Sequence, residues 1–286
     1  MQNMTKILNG KTLADIIKKK QAGKVRRLMQ RYKIQPRLAI VTTSRPKHEN
    51  PPIETYARMK QRYGTEIGVI VEVFRGPQNK LPELIGKLNT DDSIQGIIVQ
   101  LPLENPDGTD EIVGVVAPAK DVDALGSHTR FNPATPMAIN MLLAGYDVNL
   151  KSKKIVLVGN GRLVGRPLAK MWRDAGLDVA VLDIEDFRDR QTFDAKLLSA
   201  DVIVTATGVP NLITSDMIKT GAVVVDAGTA SEQGKIVGDV TAEVRERQDV
   251  TITPEKGGVG PLTIAALMEN VIEAAQSKSI GGKHEK

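Results

Sequence analysis

The chain has no cysteine, and this absence removes several kinds of chemistry at once. A disulfide framework, a thiolate nucleophile and a cysteine-ligated metal site all require that residue. The three histidines, His48, His128 and His284, lie far apart in the sequence and make a poor metal cluster. We therefore expect no metal cofactor.

Aromatic residues and long apolar runs are also scarce. Phe, Trp and Tyr make up 3% of the 286 residues, which leaves few rings for stacking on nucleic-acid bases. No apolar run approaches the roughly 20 residues that a membrane-spanning helix needs. The scarcity of aromatic residues and of long apolar runs therefore predicts neither a nucleic-acid nor a membrane partner. Residues 1–10 lack the apolar core of a secretory signal, so we expect a cytoplasmic protein.

The net charge of +5 arises near the N-terminus, where residues 1–64 carry about 16 Lys and Arg against about 3 Asp and Glu. Most of these charges surround a stretch whose apolar residues have helical spacing. The predicted apolar face comprises Ile16, Ile17, Val25, Leu28 and Met29. We interpret the basic residues as the solvated side of this helix; such a surface can also attract a small acidic substrate.

Apolar runs rich in β-branched residues alternate with helix-like segments, such as 54–66 and 80–90, along most of the chain. This alternation predicts an α/β protein with largely parallel sheets. The predicted strands are 38–43, 69–74, 96–103, 155–159, 179–183, 202–208, 222–228 and 250–254.

The stretch KKIVLVGNGRLVGRPLAKM, residues 153–171, runs from a strand through a glycine-rich turn into a helix. Gly159 permits the tight turn, Gly161 lets the backbone approach a pyrophosphate, and Gly165 brings the helix close to the sheet. The spacing is one residue longer than that of the commonest fingerprint, so a turn without a ligand is the alternative. We favour a dinucleotide at the start of this helix.

Asp183 ends the next strand, about 24 residues after Gly159. A carboxylate in this position hydrogen-bonds the adenine ribose hydroxyls and repels a ribose phosphate. A solvated strand-end residue is the ordinary alternative. Together with the glycine turn, Asp183 favours NAD over NADP.

Several polar residues in the first half of the chain have a spacing that can bring their side chains together. Tyr56 and Lys60 are four apart on a predicted helix and share a face. Gln100 ends a predicted strand, and Asp121 and Asp123 lie in the loop that follows. Each one alone has an ordinary explanation, such as a surface lysine, a strand cap or a turn former.

Together these residues resemble the bifunctional methylenetetrahydrofolate dehydrogenase/cyclohydrolase family along nearly the whole chain. The matching pieces, in family order, are Tyr56 with Lys60, QLPL (100–103), KDVD (120–123), TP (135–136), VGRP (164–167), GKIVGDV (234–240) and GGVGPLT (257–263). No single piece is decisive, but their order and spacing are highly specific.

The resemblance implies two α/β domains separated by a cleft, in a homodimer. We expect a folate-binding catalytic domain over 1–137, completed by a C-terminal helix in 262–286, and a Rossmann-type dinucleotide-binding domain over 138–261. Thr135 and Pro136 suit the start of the helix that joins them.

The resemblance also implies the roles of individual residues. Lys60 is the catalytic lysine, Gln100 its partner, Asp123 the carboxylate that grips the pterin, and Tyr56 the ring stacked on the aminobenzoate. The other expected substrate-binding residues are Leu101, Pro102, Gly257, Gly258 and Pro261, of which the last three belong to a loop lining the cleft. The expected cofactor-binding residues are Gly159, Gly161, Arg162, Val164, Gly165, Asp183, Thr207 and Gly208.

The implied activity belongs to one-carbon folate metabolism, which serves purine biosynthesis. Methylenetetrahydrofolate is oxidised with NAD or NADP to methenyltetrahydrofolate, which is then hydrolysed to formyltetrahydrofolate. Lys60 is the expected general base, which requires a pKa well below the ordinary value of about 10.4. We expect Asp123 to point at the pterin rather than at Lys60. A monofunctional cyclohydrolase and a catalytically silent folate- or nucleotide-binding protein are the alternatives.

The sequence departs from the family around these motifs. NADP-using members often have an arginine at the position of Asn160 and a serine at that of Ile184, and the absence of both strengthens the expectation of NAD. Arg162 or Arg166 is the alternative phosphate ligand. Further departures are Gly161 for serine, Ala-Leu-Gly at 124–126 for Gly-Phe-His, Lys256 for proline and Ile53 for serine.

Overall fold

A computed structural model describes residues 6–43, 51–232 and 235–281. His48, Gly234 and His284 lie outside these ranges, and the side chain of Ile53 is not described. The chain divides into two compact units. One joins the described part of Met1–Ala14 to Thr135–Thr263, and the other joins Asp15–Ala134 to the described part of Ile264–Lys286.

The helices and strands of the described residues follow each other in α/β order. The helices are α1 (Gly10–Tyr32), α2 (Pro51–Ile67), α3 (Leu81–Thr90), α4 (Thr109–Gly114), α5 (Ala134–Gly145), α6 (Gly165–Asp174), α7 (Arg190–Ser199), α8 (Ala242–Glu246) and α9 (Val259–Gly281). The strands are β1 (Lys6–Ile7), β2 (Arg37–Thr43), β3 (Ile70–Gly76), β4 (Gly96–Val99), β5 (Ile155–Val158), β6 (Val179–Leu182), β7 (Val202–Thr205), β8 (Val223–Asp226), β9 (Ala230–Glu232), β10 (Lys235–Val237) and β11 (Thr251–Ile252). None of the described helices is long and apolar enough to cross a membrane.

The unit formed by Asp15–Ala134 and the segment from Ile264 onward contains a three-stranded parallel sheet in the order β3-β2-β4; we call it the three-stranded unit. Strands β2 and β4 are buried on both faces, which explains why they read as continuous apolar runs rather than as alternating ones. Helices α3 and α4 contribute to a core against one face. The prediction of a parallel α/β fold is confirmed here.

Strand β4 ends at Val99, four residues before the predicted end of the strand at 103. Gln100 still donates its backbone N–H to Val41 O at 2.8 Å, but Leu101 and Pro102 leave the sheet. Proline has no N–H for the ladder, so the strand stops before it. The polar side chain of Gln100 is thereby held at the carboxyl end of β4.

The predicted apolar face of α1 is partly wrong. Val25 and Leu28 are buried as expected, but Ile16 is 50% exposed and Met29 is 38% exposed. The buried face instead includes Gln21, which lies four residues before Val25 and seven residues before Leu28. Its amide is satisfied by Ala265 O and by the Tyr63 hydroxyl, so a polar side chain occupies a core position that periodicity of apolar residues does not identify.

The unit formed by the segment up to Ala14 and Thr135–Thr263 contains a six-stranded parallel sheet in the order β1-β11-β8-β7-β5-β6; we call it the six-stranded unit. A separate antiparallel pair, β9 and β10, follows β8. Without β1, the order is that of a doubly wound sheet in which the first strand, β5, lies between the second and the third. The topological switch point is therefore the carboxyl end of β5, where ligands bind in open α/β sheets.

The described N-terminal residues belong to the six-stranded unit, whereas the sequence-based division assigned 1–137 to the folate domain. The reason is that β1 pairs in parallel with β11. A Cβ on Gly10 would overlap Gly258 O, so the start of α1 packs closely on the loop before α9. The other boundaries fall at Thr135 and Thr263, close to the expected 137 and 261.

Asn270 of α9 ties a loop of the three-stranded unit in place. Its side chain is buried, and Nδ2 donates to Val122 O at 2.8 Å and to Asn132 O at 2.9 Å. Both ends of the segment that carries Asp123 are thus attached to one side chain.

Replacing Asn270 by aspartate is expected to lower the free energy of unfolding by about 3 kcal/mol or more at pH 7, because a carboxylate would face two carbonyl oxygens. Urea unfolding followed by circular dichroism measures this. The control is Asn105→Asp, since Asn105 is exposed and its side-chain Oδ1 accepts a hydrogen bond from Asp107 N–H, a role that a carboxylate keeps. Equal stability of the two variants would contradict the proposed role of the Asn270 side chain in holding the loop.

Candidate active site

Lys60 and Gln100 form the centre of a polar site in the three-stranded unit. Lys60 lies on α2, one turn after Tyr56, and its Nζ donates a hydrogen bond to Gln100 Oε1 at 2.7 Å. The Gln100 amide is oriented from its other side, since Nε2 donates to Leu101 O at 3.1 Å. The predicted pairing of these two residues, 40 positions apart in the sequence, is therefore present.

Two opposing effects act on the Lys60 amine. Burial lowers the pKa of Lys60, because desolvation penalises the ammonium form, and the nearby negative charge of Asp123 raises it. The pKa of Asp123 is raised by burial and by Asp121 and lowered by Lys60. The direct partner of Lys60 is thus the neutral Gln100, which orients the amine without adding charge. That Asp123 points at a pterin stays a prediction.

Asp121 shapes the turn that carries Asp123. Its backbone bridges to Ile97 in β4, and its carboxylate accepts the N–H groups of Leu125 at 3.3 Å and Gly126 at 2.8 Å. The carbonyl of Asp121 accepts the Thr129 hydroxyl. Sequence reasoning placed this residue in the loop but missed its role; the signal was a second acidic residue two positions before Asp123.

The remaining residues expected near the substrate divide between the two units. Leu101 is partly buried and Pro102 exposed, directly after Gln100. Gly257, Gly258 and Pro261 belong to the six-stranded unit, where Gly257 has φ +85° and Pro261 lies in the first turn of α9. The predicted loop 257–261 is therefore partly helical, which proline permits in a first helical turn. Their contact with a folate stays a prediction.

The glycine-rich turn has the geometry that its sequence predicts. Gly159 has φ +99°, and a Cβ there would lie 2.6 Å from Ala206 O. A Cβ on Gly165 would overlap Gly159 O, so only glycine brings α6 this close to the turn. A Cβ on Gly161, by contrast, would meet no atom within 4 Å, which leaves room beside the backbone.

The turn lies at the switch point of the six-stranded sheet, before the N-terminus of α6. Val164 precedes the helix and its carbonyl accepts Leu168 N–H, while Arg162 is partly buried within the turn. The positive end of this ten-residue helix, with open space beside Gly161, suits a phosphate. These residues therefore fit the pyrophosphate of a dinucleotide.

Asp183 and Ile184 follow β6, the neighbour of β5, and both are exposed, Ile184 by 75%. The Asp183 carboxylate accepts Ile184 N–H at 2.8 Å, and its backbone N–H donates to Asp186 Oδ2. Asn160 is exposed in the turn after β5. Asn160, Asp183 and Ile184 therefore all lie at the carboxyl ends of two adjacent strands, β5 and β6.

Thr207 and Gly208 follow β7, the other neighbour of β5. Thr207 Cγ2 would lie 3.2 Å from a Cβ on Gly159, and Gly208 has φ +69°. The Thr207 N–H donates to the buried Asp239 Oδ2 at 2.7 Å. Sequence reasoning did not identify Asp239 as a contact of this loop, although the residue stands in the quoted motif GKIVGDV as a charge between apolar neighbours.

Two family models match the chain. The catalytic domain of tetrahydrofolate dehydrogenase/cyclohydrolase matches residues 8–123, and the NAD(P)-binding domain of the same enzymes matches residues 133–279. The chain belongs to the tetrahydrofolate dehydrogenase/cyclohydrolase family. The resemblance noted from the sequence is thereby confirmed.

Individual members of the family are similar over almost their entire length. A bifunctional protein FolD from Campylobacter jejuni is 37% identical over 289 residues, which cover 95% of this chain and 99% of the relative. A crystal structure of the bifunctional FolD enzyme from Campylobacter jejuni has a TM-score of 0.86 at 36% identity, covering 96% of this chain and 99% of the other. A methylenetetrahydrofolate dehydrogenase-cyclohydrolase from Trypanosoma brucei, solved with NADP and an inhibitor, has a TM-score of 0.87 at 27% identity, covering 96% of this chain and 98% of the other.

One departure from the family pattern has a structural cost. Ala124 stands where members commonly have glycine, and its φ is +57°, in the left-handed region that favours glycine. It lies in the turn between Asp121 and Gly126, directly after Asp123.

Ala124→Gly is expected to raise the free energy of unfolding by about 0.5–1 kcal/mol, because it relieves this backbone strain. The matched control is Ala22→Gly inside α1 of the same unit, which is expected to lose about 0.5–1 kcal/mol. Thermal and urea unfolding measure both. Destabilisation by both substitutions would contradict the strained turn.

Proposed function

We propose that the protein oxidises methylenetetrahydrofolate to methenyltetrahydrofolate with a nicotinamide dinucleotide and hydrolyses the product to formyltetrahydrofolate. The observation that carries the proposal is the partly buried Lys60 amine, bonded to Gln100 and lying in the field of Asp123. Membership in the family supports both activities. Bifunctional relatives that match almost the full length of the chain support them further.

The hydrolytic step assigns a task to each polar residue. Water adds to the methenyl carbon and gives one proton to the neutral amine of Lys60. The bond from that carbon to one ring nitrogen then breaks as the new hydroxyl becomes the formyl carbonyl, the hydroxyl proton passes to the departing nitrogen, and one proton is released overall. Gln100 holds the amine in position through its Oε1. Burial favours the neutral form of Lys60 that a base requires. Asp123 is proposed to hold the pterin, and Tyr56 to stack on the aminobenzoate.

The six-stranded unit supplies the dinucleotide site of the proposal. A bound NAD or NADP supplies the acceptor for the hydride that leaves the methylene carbon of the folate. The proposed ligands of the pyrophosphate are the N–H groups after Gly161, with Arg162 and Val164 beside them, and Thr207 and Gly208 are proposed to line the site. Open space beside Gly161 and the start of α6 support this assignment.

NAD is the proposed cofactor. The exposed carboxylate of Asp183 suits ribose hydroxyls and repels a phosphate, and Asn160 and Ile184 carry no charge that would attract one. The Trypanosoma brucei relative was solved with NADP, and the matching domain is described as NAD(P)-binding, so we infer that such residues decide the choice of dinucleotide.

We further propose that the protein is a cytoplasmic homodimer and that it supplies one-carbon units for purine biosynthesis. The proposal includes no nucleic-acid or membrane partner. These finer statements rest on the family resemblance and stay predictions.

The pH dependence of hydrolysis tests the role of Lys60. As a base, Lys60 acts when neutral, so the rate rises with pH through its pKa. Because Asp123 raises that pKa, Asp123→Asn is expected to move the rising limb to lower pH. Asp107→Asn, which removes an exposed charge from the same unit, leaves the limb unchanged. The rate of methenyltetrahydrofolate decay measures the profile.

In the same assay, Lys60→Met is expected to slow hydrolysis by about 100-fold or more, the usual contribution of a general base. Unchanged hydrolysis would refute the assignment. If the wild-type protein hydrolyses methenyltetrahydrofolate but oxidises methylenetetrahydrofolate with neither NAD nor NADP, it is a monofunctional cyclohydrolase. Folate binding without either reaction would identify a silent homologue.

Initial rates of methylenetetrahydrofolate oxidation with NAD and NADP test the cofactor. We expect a higher kcat/KM for NAD. Asp183→Ser is expected to raise kcat/KM for NADP by about tenfold, because it removes the repulsion of the ribose phosphate. Asp178→Ser, which removes an exposed carboxylate before β6, serves as the control. A wild-type preference for NADP would overturn the proposal of NAD.

A further inference from the structure

The six-stranded unit buries two carboxylates that the proposed reaction does not use. Asp226 ends β8 with a side chain that is 3% exposed, and Asp239, two residues after β10, is 0% exposed. The two residues are neighbours, since the backbone N–H of Asp239 donates to Asp226 Oδ1 at 3.1 Å. Burying two negative charges together is costly, so both need compensating donors.

Asp226 is fully compensated. Besides Asp239 N–H, its oxygens accept the N–H groups of Gly228 and Val240 at 3.0 and 3.1 Å. The Thr205 hydroxyl donates to Oδ1 at 3.3 Å, and Arg245 Nη2 lies 2.6 Å from Oδ2. Asp226 and the partly buried Arg245 thus form an ion pair that anchors the backbone at Asp239.

Asp239 is compensated differently. Its Oδ2 accepts Thr207 N–H at 2.7 Å, while its buried Oδ1 has no hydrogen-bond partner within the described ranges. Oδ2 is therefore hydrogen-bonded to the loop after β7, while Oδ1 packs against Gly228, on which a Cβ would overlap it. This bond satisfies a backbone N–H that the sheet leaves unpaired, so the Asp239 side chain holds the loop in place.

The loop held by Asp239 packs on the glycine turn. A Cβ on Gly159 would lie 2.6 Å from Ala206 O and 3.2 Å from Thr207 Cγ2. Gly165 in turn packs on Gly159 O. A continuous series of contacts therefore leads from the Asp226–Arg245 pair through Asp239 and Thr207 to the turn before α6.

We propose that Asp239 is a positioning residue for the dinucleotide: its carboxylate fixes the Thr207 backbone against the Gly159 turn, and the Asp226–Arg245 pair fixes Asp239. The inference rests on the proposed function, in which Thr207, Gly208 and the glycine turn bind NAD or NADP. Loosening this loop is expected to weaken dinucleotide binding rather than folate chemistry.

The two activities of the proposed function separate this role from a general structural one. Oxidation needs the dinucleotide, whereas hydrolysis of methenyltetrahydrofolate does not. A positioning residue for the dinucleotide therefore affects KM for NAD without affecting hydrolysis. A residue that only stabilises the protein would change thermal unfolding and leave KM for NAD unchanged in the folded protein.

The experiment compares Asp239→Ala and Asp239→Asn in the full-length protein. Asp239→Ala is expected to raise KM for NAD about tenfold, equivalent to about 1.4 kcal/mol, with hydrolysis within about twofold of wild type. Asp239→Asn retains an oxygen acceptor for Thr207 N–H, so its increase is expected to be smaller. Asp178→Ala is the exposed control, with no change in either rate.

Trp172, the single tryptophan, reports whether the six-stranded unit is folded. It is buried on α6, and its Nε1 donates to Asn140 Oδ1 at 2.7 Å, so its emission changes on unfolding. If Asp239→Ala fails this test, Asp239→Asn, which preserves size and an acceptor, carries the comparison.

Calorimetric titration with NADH provides a second readout. If wild type binds NADH but does not oxidise methylenetetrahydrofolate, the oxidation proposal fails while the inference is still tested by the loss of affinity in the Asp239 variants. A folded Asp239 variant with wild-type KM and NADH affinity would overturn the inference. So would an equal loss of oxidation and hydrolysis, or a wild-type protein that binds neither NADH nor NADPH.

Discussion

The common direction of the strands is the constraint on which both candidate sites depend. In a parallel sheet every strand ends at the same edge, so the residues that follow the strands gather there. In the three-stranded unit this places Gln100 after β4 and Asp123 after the segment that bridges to β4. In the six-stranded unit it places the glycine turn between Asp183 and Thr207. Residues far apart in the chain become neighbours for one geometrical reason.

Burial then determines what these polar groups can do. Desolvation lowers the pKa of Lys60 and raises the pKa of Asp123 and Asp239, so each group is shifted toward its neutral form. The attraction between Lys60 and Asp123 opposes the shift in both partners. Gln100, a neutral partner, holds the lysine without adding to that attraction. The balance between burial and one carboxylate thus governs the basicity of the amine.

Backbone hydrogen bonds to carboxylates organise the loops around both sites. Asp121 holds the turn that carries Asp123, and Asp239 holds Thr207. Such bonds join an acidic side chain to a backbone that has no regular secondary structure, and they satisfy N–H groups that the sheet leaves unpaired. Glycines at the same places, such as Gly126 and Gly159, let the backbone approach closely. Acidic side chains and glycines together therefore fix the backbone of these loops.

The sequence by itself determined the α/β class, most strands, the glycine turn and the family, because these follow from local periodicity, from backbone conformations that only glycine adopts and from ordered motifs. The pairing of Lys60 with Gln100 was predicted through the family resemblance. Only the tertiary structure decided that β1 joins the six-stranded sheet, that Gln21 rather than Ile16 faces the core, and that Asp239 contacts Thr207. These features depend on contacts between distant residues, and a charged or amide residue that is buried by such contacts has the same local sequence pattern as an exposed one.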